Sequence, residues 1–443
     1  MRAAWLGLLA ASGLEAFFLL VMAGYAPLYV MERLHGSYFL ASQAVAWPSL
    51  ATFLGSNLWG AWSRRLGLAR LVVVGLLGYF GLGVVALLAR TPWSLVAGLG
   101  VLTLFSSALA PAAIAAMTRA GGAMGNRLAL RVRWQSMGWM VSGVAAGYLY
   151  GLGRYGWPLT LAVSGVCALV LAACLAVRLD RSDRSAPPVP SAARPRTWQR
   201  FLPLLAVVVP VFLVSAGNEG FFASFALYLR VIQLPVAWVG WSAAVSTALG
   251  ALAVGWVGRF ADRTGGRALL RYVLLGYLIM YGSMAISASP ILAIVAFSLP
   301  LYPFLMVGSQ RAAAETVAAH HHGAVMGLVN GLAGLATAAG ITLMGLGDTR
   351  FGPRFEPWGA TALVVLALAA LLALHRLGGQ PAGPSSAGES HAGDPSTPPS
   401  AVGGVGVMTA PIPPGTRQGG AGPLGLNAIW NSPETTAIQI GGH

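Results

Sequence analysis

Twelve windows of about 20 predominantly apolar residues, the length that crosses a bilayer as a helix, occupy most of this 443-residue chain. They run over roughly 4–30, 37–60, 69–89, 92–117, 124–152, 157–177, 202–228, 236–257, 268–287, 290–310, 323–346 and 357–375. A soluble domain carries roughly 25% charged residues. Here 9% are charged, 56% are hydrophobic and the mean hydropathy is +0.71. The fold expected is therefore an all-α membrane protein of twelve transmembrane helices. The opening run continues to Val30, past the length of a cleaved signal segment, and reads as a retained first span.

Between the sixth and seventh runs stands RLDRSDRSAPPVPSAARPRTWQR, polar, basic and Pro-rich, the composition of a flexible connector. The organisation expected is an N-terminal six-helix bundle over 1–178, a cytoplasmic linker over 179–200 and a C-terminal six-helix bundle over 201–377. A tail over 378–443, rich in Gly, Pro, Ser and Thr without periodicity, is expected to be cytoplasmic and disordered.

The net charge of +15 comes from arginine alone, since the chain has no lysine. A pI near 10.8 in a soluble protein would point to nucleic acid. These arginines instead stand at the ends of apolar runs, 21 on the side of the N-terminus and 6 on the other. Positive charge stays inside, so both termini are expected to be cytoplasmic, in a multi-pass protein of the cell membrane with no nucleic-acid partner. Cys167 and Cys174, seven apart in one run, are about 10 Å apart on a helix, too far for a disulfide.

The two halves repeat. GLEAFF (Gly13–Phe18) recurs as GNEGFF (Gly217–Phe222), placing Glu15 and Glu219 204 positions apart. Met124–Gly125 recurs as Met326–Gly327, and GAWSRRLGLAR from Gly60 lines up with GRFADRTGGR from Gly258. Parallel six-helix repeats occur in transporters, with the substrate site between them near mid-membrane.

Gly258, Phe260, Ala261, Asp262, Arg263, Gly265, Gly266 and Arg267 resemble the loop signature of the major facilitator superfamily, Gly-x-Leu-Ala-Asp-Arg-x-Gly-Arg-Arg, between the second and third runs of a half. The first copy keeps Gly60, Arg65 and Gly67 but has Arg64 where the aspartate belongs. The resemblance covers residues 1 to about 377. It implies two six-helix bundles working by alternating access, with the first helix of each lining the central cavity, and a cytoplasmic gate in which the loop aspartate meets a helix start in the opposite half. Asp262 is thus expected to face the start of the fifth helix, near Arg127 and Arg131. Arg64 is expected to face the start of the eleventh, with Glu315 as partner. Arg131, Arg133, Gln135 and Trp139 in the fifth run resemble sugar-handling members, though the arginines also serve as inside anchors. The Gly-Pro of drug-exporting members is absent from this run. Gly138, Gly143 and Gly147 there are spaced for close helix contact.

Of twelve acids, Glu15 and Glu219 lie well inside a run. An ionised carboxylate at the bilayer centre costs about 2.5–3.5 kcal/mol even on a mild scale, which glutamine would avoid. Both are expected to carry protons in a coupled cycle and to occupy equivalent positions; the alternative is a protonated structural group bonded to a neighbouring helix. Phe17, Phe18, Phe221 and Phe222 beside them fit either cavity wall or lipid contact. Tyr25, Gln43, Asn57, Asn218, Trp241 and Asn330 are the other polar or amphipathic groups within runs and complete the candidate cavity set.

Other chemistry finds no support. Without a lysine there is no phosphate-binding Gly-Lys-Ser/Thr, which excludes ATP-driven transport by this chain. His320, His321 and His322 are consecutive and cannot share a helix face, so no metal or other cofactor is expected, and no catalytic residue. The function expected is secondary transport of a small organic solute by a monomer in lipid, and not catalysis, since an enzyme would need acids or histidines clustered at one membrane face and this chain disperses them. Export of drug-like or sugar-like compounds with protons is favoured; uptake of a sugar or nucleoside with protons is the alternative, and a polytopic membrane enzyme the second.

Overall fold

The computed structural model describes residues 2–119, 124–153, 155–183, 202–287, 289–316 and 322–377. The chain divides into Met1–Gln380 and Pro381–His443; the second part, residues 184–200 of the connector, His320 and His321 lie outside the described residues. So do the side chains of Arg64, Arg65, Arg127 and Asn330.

Fourteen α-helices make up the described chain. They are α1 (Arg2–Arg33), α2 (Tyr38–Leu66), α3 (Leu68–Leu88), α4 (Pro92–Ser106), α5 (Leu109–Arg119), α6 (Met124–Gly151) and α7 (Gly156–Asp183). There follow α8 (Leu202–Val231), α9 (Ala237–Thr264), α10 (Gly266–Ile286), α11 (Pro290–Phe297), α12 (Leu301–Glu315), α13 (His322–Phe351) and α14 (Glu356–Leu377). Each apolar window of the sequence holds one helix or a broken pair, α4–α5 or α11–α12. Among the described residues nine stretches are long and apolar enough to cross a membrane, or ten if α9, bent by 59° between Ala253 and Trp256, counts as one. The helices that fall short are α2 and α6. Gln43, Ser49, Thr52 and Asn57 on α2, and Arg131, Arg133 and Gln135 on α6, lower their hydropathy, and both pack chiefly on other helices: α2 on α13 and α4, α6 on α1 and α9.

The repeat is visible in the backbone. Thr91 caps α4 by accepting the Ser94 N–H at 3.2 Å, with Pro92 in the first turn. Ser289 caps α11 from Leu292 at 3.5 Å, with Pro290 in the same place. Gly67 and Gly265 join the second and third helices of their halves at φ 79° and 82°, a region open to glycine at no steric cost. His35 and Gln233, just past α1 and α8, have φ 54° and 61°. Each pair is separated by 198 positions.

At these helix ends the register differs by six residues from the 204 positions that separate Glu15 and Glu219. It sets Leu213 opposite Glu15 and Val21 opposite Glu219, six residues or about 9 Å along a helix. The close crossings within each half, Gly138 on Gly13 and Gly340 on Ala216, run on a longer offset. Each glutamate stands just beyond its own crossing, but Glu219 is nearer the end of its helix. The two share a neighbourhood, not a depth.

The halves meet through α6 on α9, α2 on α13 and α1 on α8. Gly143 and Gly240 touch backbone to backbone, so a Cβ on either would run into the other's carbonyl. Gly147 lies against Ala237, and Gly345 against Ser42. The close approach expected of Gly138, Gly143 and Gly147 is present. Two of the three contacts join the halves.

Candidate functional site

Ser12 and Glu15 are one turn apart on α1, and Arg131 and Gln135 one turn apart on α6, so each pair projects from one face of its helix. Arg131 Nη2 meets Glu15 Oε2 at 3.0 Å while its Nε donates to Ser12 Oγ at 3.2 Å. Gln135 Nε2 donates to the same Glu15 oxygen at 3.4 Å. Glu15 and Arg131 are 7% and 9% exposed, so this is a buried pair in which each charge makes the other tolerable; losing one partner from such a pair costs about 3–5 kcal/mol. The neutralising partner, unseen within the apolar run around Glu15, comes from 116 residues away. Glu15 also forms part of the wall of a small pocket with Thr52, Ser56, Tyr79, Thr103 and Ser106. Phe18 is fully buried against Tyr79, ring centroids 4.8 Å apart.

Glu219 is differently placed. Asn218 Nδ2 donates to its Oε1 at 3.3 Å, and Tyr281 Oη donates to Asn218 Oδ1 at 3.0 Å. Among the described residues no ion pair reaches Glu219. Phe221 beside it is buried in a ring cluster with Phe225, Tyr228, Tyr281 and Phe297, and Phe222 stacks on Phe297 at 5.8 Å. Phe18 and Phe221 are therefore core rather than lipid contacts.

The other candidates separate. Tyr25 fills the seam of α1 and α6, its ring 5.8 Å from Tyr150 and its hydroxyl against Gly147. Gln43 donates to Thr342 Oγ1 at 3.4 Å and ties α2 to α13. Asn57 is exposed and bonds back to the Phe53 carbonyl at 2.7 Å. Arg133 and Trp241 are exposed and Trp139 is half-buried. None of these six reaches Glu15 or Glu219 through a hydrogen bond among the described residues.

At the Gly258–Arg267 loop the expected partners Arg64 and Arg127 have side chains outside the described residues, and the described contacts are these. Glu315 accepts the Gly266 N–H with both oxygens, at 3.0 and 3.2 Å, and Arg311 Nε at 3.0 Å. Its oxygens thus meet the start of α10 in its own half, where a helix N-terminus favours an anion. Asp262 pairs with Arg311 Nη1 at 3.8 Å, and Arg131, once its expected neighbour, is held by Glu15. Gly265 and Gly266 lie beside this cluster; Gly266 packs against the backbone of Arg311 and Ala312. A Cβ at Gly60 or Gly258 would meet nothing within 4 Å, and Arg263 is exposed and Arg267 half-buried.

The sequence reading missed an outer pair. Glu32 Oε1 accepts Arg230 Nε at 2.8 Å and Glu32 Oε2 accepts Tyr150 Oη at 3.0 Å, joining the ends of α1, α8 and α6. It missed Asp348 and Glu356 as well, 2% and 0% exposed. Their places at the ends of apolar runs made them look like loop acids.

A family model described as Major Facilitator Superfamily matches residues 8–340. No curated protein matches the chain. Among solved structures, a bacterial homolog of the human lysosomal transporter Spinster, inward-facing and occupied, is similar at TM-score 0.67 and 12% identity, over 85% of this chain and 97% of that one. The peptide transporter POT in complex with sulfate gives 0.64 and 13%, over 84% and 94%. The nucleoside transporter NupG gives 0.63 and 12%, over 84% and 98%. At such identities the likeness is one of fold. The family match spans well over half of the chain, which therefore belongs to the Major Facilitator Superfamily and is a membrane transporter rather than an enzyme.

Proposed function

We propose that this chain is a proton-coupled secondary transporter of a small organic solute, working by alternating access. Two six-helix bundles, 1–178 and 201–377, would cross the membrane twelve times with both termini in the cytoplasm, as the arginine asymmetry requires. The contacts that join the halves, Glu32–Arg230 and Gly143–Gly240 among them, lie toward the ends of α1 and α8, the outer side in this orientation. A transporter closed there presents its cavity to the cytoplasm. That is the inward-facing state.

The observation that carries the reading is the contrast between the two glutamates. Glu15 is balanced by Arg131 at 3.0 Å, whereas among the described residues Glu219 has its hydrogen bond from Asn218 and no cation. A carboxyl group with a guanidinium partner is suited to hold charge and to exchange that partner for a solute or a proton. One bonded only to an amide is suited to take a proton and release it when the cavity opens. We favour export of drug-like or sugar-like compounds, since aromatic walls and an acid suit amphipathic or cationic solutes. Uptake of a sugar or nucleoside is the second reading, favoured by the donors Arg131 and Gln135 converging on one carboxylate, an arrangement a hydroxylated ring could share. The test is flux of a compound panel into proteoliposomes with a pH gradient of either sign. Accumulation against the proton gradient indicates export, accumulation along it uptake, and no response to the gradient rejects coupling. The unit is taken as a monomer in the cell membrane.

A further inference from the structure

The corner between α13 and α14 buries two acids without a cation. Asp348 stands near the end of α13, and Glu356 is the first residue of α14, with a 3-10 turn, Pro353–Phe355, between them. They are 2% and 0% exposed. The two carboxyl groups lie within hydrogen-bonding reach of each other and beside the hydroxyl of Ser224 on α8. Asp348 Oδ1 and both oxygens of Glu356 nevertheless find no partner. Three buried carboxyl oxygens that make no hydrogen bond, with the single hydroxyl of Ser224 beside them, are an incomplete site. Buried polar groups are almost always bonded, and two adjacent carboxylates cannot both stay ionised away from water.

The surroundings supply no counter-charge. The titratable groups that face the pair are Tyr228 from α8 and Tyr281 from α10, and Arg354 from the turn lies beside Tyr228. Arg354 is exposed, and Arg350 points to the ring of Phe351. From α2 the neighbours of α13 are Ser42 and Gln43, both uncharged. Among the described residues no ion pair reaches either acid. The N-terminus of α14 favours one negative charge beside it. It does not favour two.

We propose that Asp348 and Glu356 form a proton-binding site, in which one carboxyl group is protonated and donates its O–H to the carboxylate of the other. The proton comes from the aqueous side of the corner and returns there; one O–H bond forms on binding and breaks on release, and the pair alternates between one negative charge and two. In the second state the charges repel across the α13–α14 corner, so release of the proton loosens its packing on α8. The site is separate from Glu15 and Glu219, and it does not depend on whether transport is proton-coupled.

Infrared difference spectra of the purified protein in detergent at about pH 7 would test the assignment. Wild type is compared with Glu356→Gln and Asp348→Asn. A single shared proton predicts a carbonyl band of a protonated carboxylic acid shifted by its bond to the second carboxylate, present in wild type and missing at that frequency from both variants. Ser224→Ala keeps both acids and should keep the band. Melting temperatures give the second measurement. A folded pair that shares a proton which the unfolded chain releases loses stability as pH rises above the ordinary carboxylate range, and wild type should lose it more steeply than Glu356→Gln. A band equally strong in wild type and both variants overturns the proposal, as does a protonated band that survives in either single variant at the Asp348–Glu356 frequency. Loss of the wild-type band on adding sodium at constant ionic strength would assign the site to a metal cation and overturn it too. Should Asp348→Asn fail to fold, Glu356→Gln decides alone.

Discussion

Arg230 grips Glu32 across 198 residues of chain, Nε to Oε1 at 2.8 Å and Nη2 to Oε2 at 3.4 Å. The pair fastens the end of α8 to the end of α1, with Tyr150 of α6 as a third member at 3.0 Å. It is partly exposed, with side chains 49% and 30% accessible, and pairs of that kind contribute about 0.2–1 kcal/mol. For a latch that must open in every cycle a weak bond is an advantage. Arg230→Gln should open the outer side more often, by about 2–5-fold at that energy. With Cys167 and Cys174 changed to serine, thiol labelling at Ser42→Cys, buried against Gly345 between the halves, would report it. Equal labelling rates with and without Arg230→Gln would deprive the pair of this role.

Gly143→Leu should be harsher. Gly143 and Gly240 meet backbone to backbone, and a bulky side chain holds helices apart. The variant is expected to insert and remain monodisperse but to lose the closed side, with Ser42→Cys labelling fast and transport slow. Gly240→Leu should do the same from the other helix. Native transport in both would mean that the seam does not need to close.

Arg131→Gln leaves Glu15 buried without its cation, a loss of about 3–5 kcal/mol where the charge stays. Removing both members with Glu15→Gln and Arg131→Gln should restore much of the stability, since two amides in the same place bear no charge. Thermal unfolding in detergent would compare the three proteins. A double variant less stable than Arg131→Gln alone would show that the two side chains act independently.

Arg311 is bonded to both Asp262 and Glu315, so Arg311→Gln should disturb the α10 entry more than Asp262→Asn, which loses one contact at 3.8 Å. Glu315→Gln also loses the charge at the α10 N-terminus, an effect of about 0.3–1 kcal/mol. Hydrogen exchange at Gly266 and its neighbours is the readout. Equal protection in all three variants would contradict this hierarchy.

The helices were legible because apolar length is a local property: each of the twelve windows holds a helix or a broken pair. The loop glycines were legible for the same reason, as Gly265 needs its positive φ and Gly67 shares it. What escaped depends on which helices touch. The apolar run around Glu15 contains no hint of Arg131, because the bond is made when α6 crosses α1 at Gly13 and Gly138. Glu32, Asp348 and Glu356 stand at the ends of runs, where hydropathy cannot distinguish a solvated acid from one folded under a helix corner. The common offset of the halves also concealed a change of register between the crossing and the outer end, so two similar motifs came to lie at different depths. Glu315 was assigned across the halves by analogy, whereas its nearest donors are the Gly266 N–H and Arg311.

The most direct test of the account is proton movement with solute in proteoliposomes holding a pH-sensitive dye, for wild type and Glu219→Gln. Glutamine keeps the Asn218 contact at similar size but cannot carry a proton. The account predicts that a transported compound from the panel shifts the internal pH in wild type, and that Glu219→Gln binds the compound but moves neither a proton nor solute against a gradient. Native pH shifts and native gradient-driven accumulation in Glu219→Gln would contradict it.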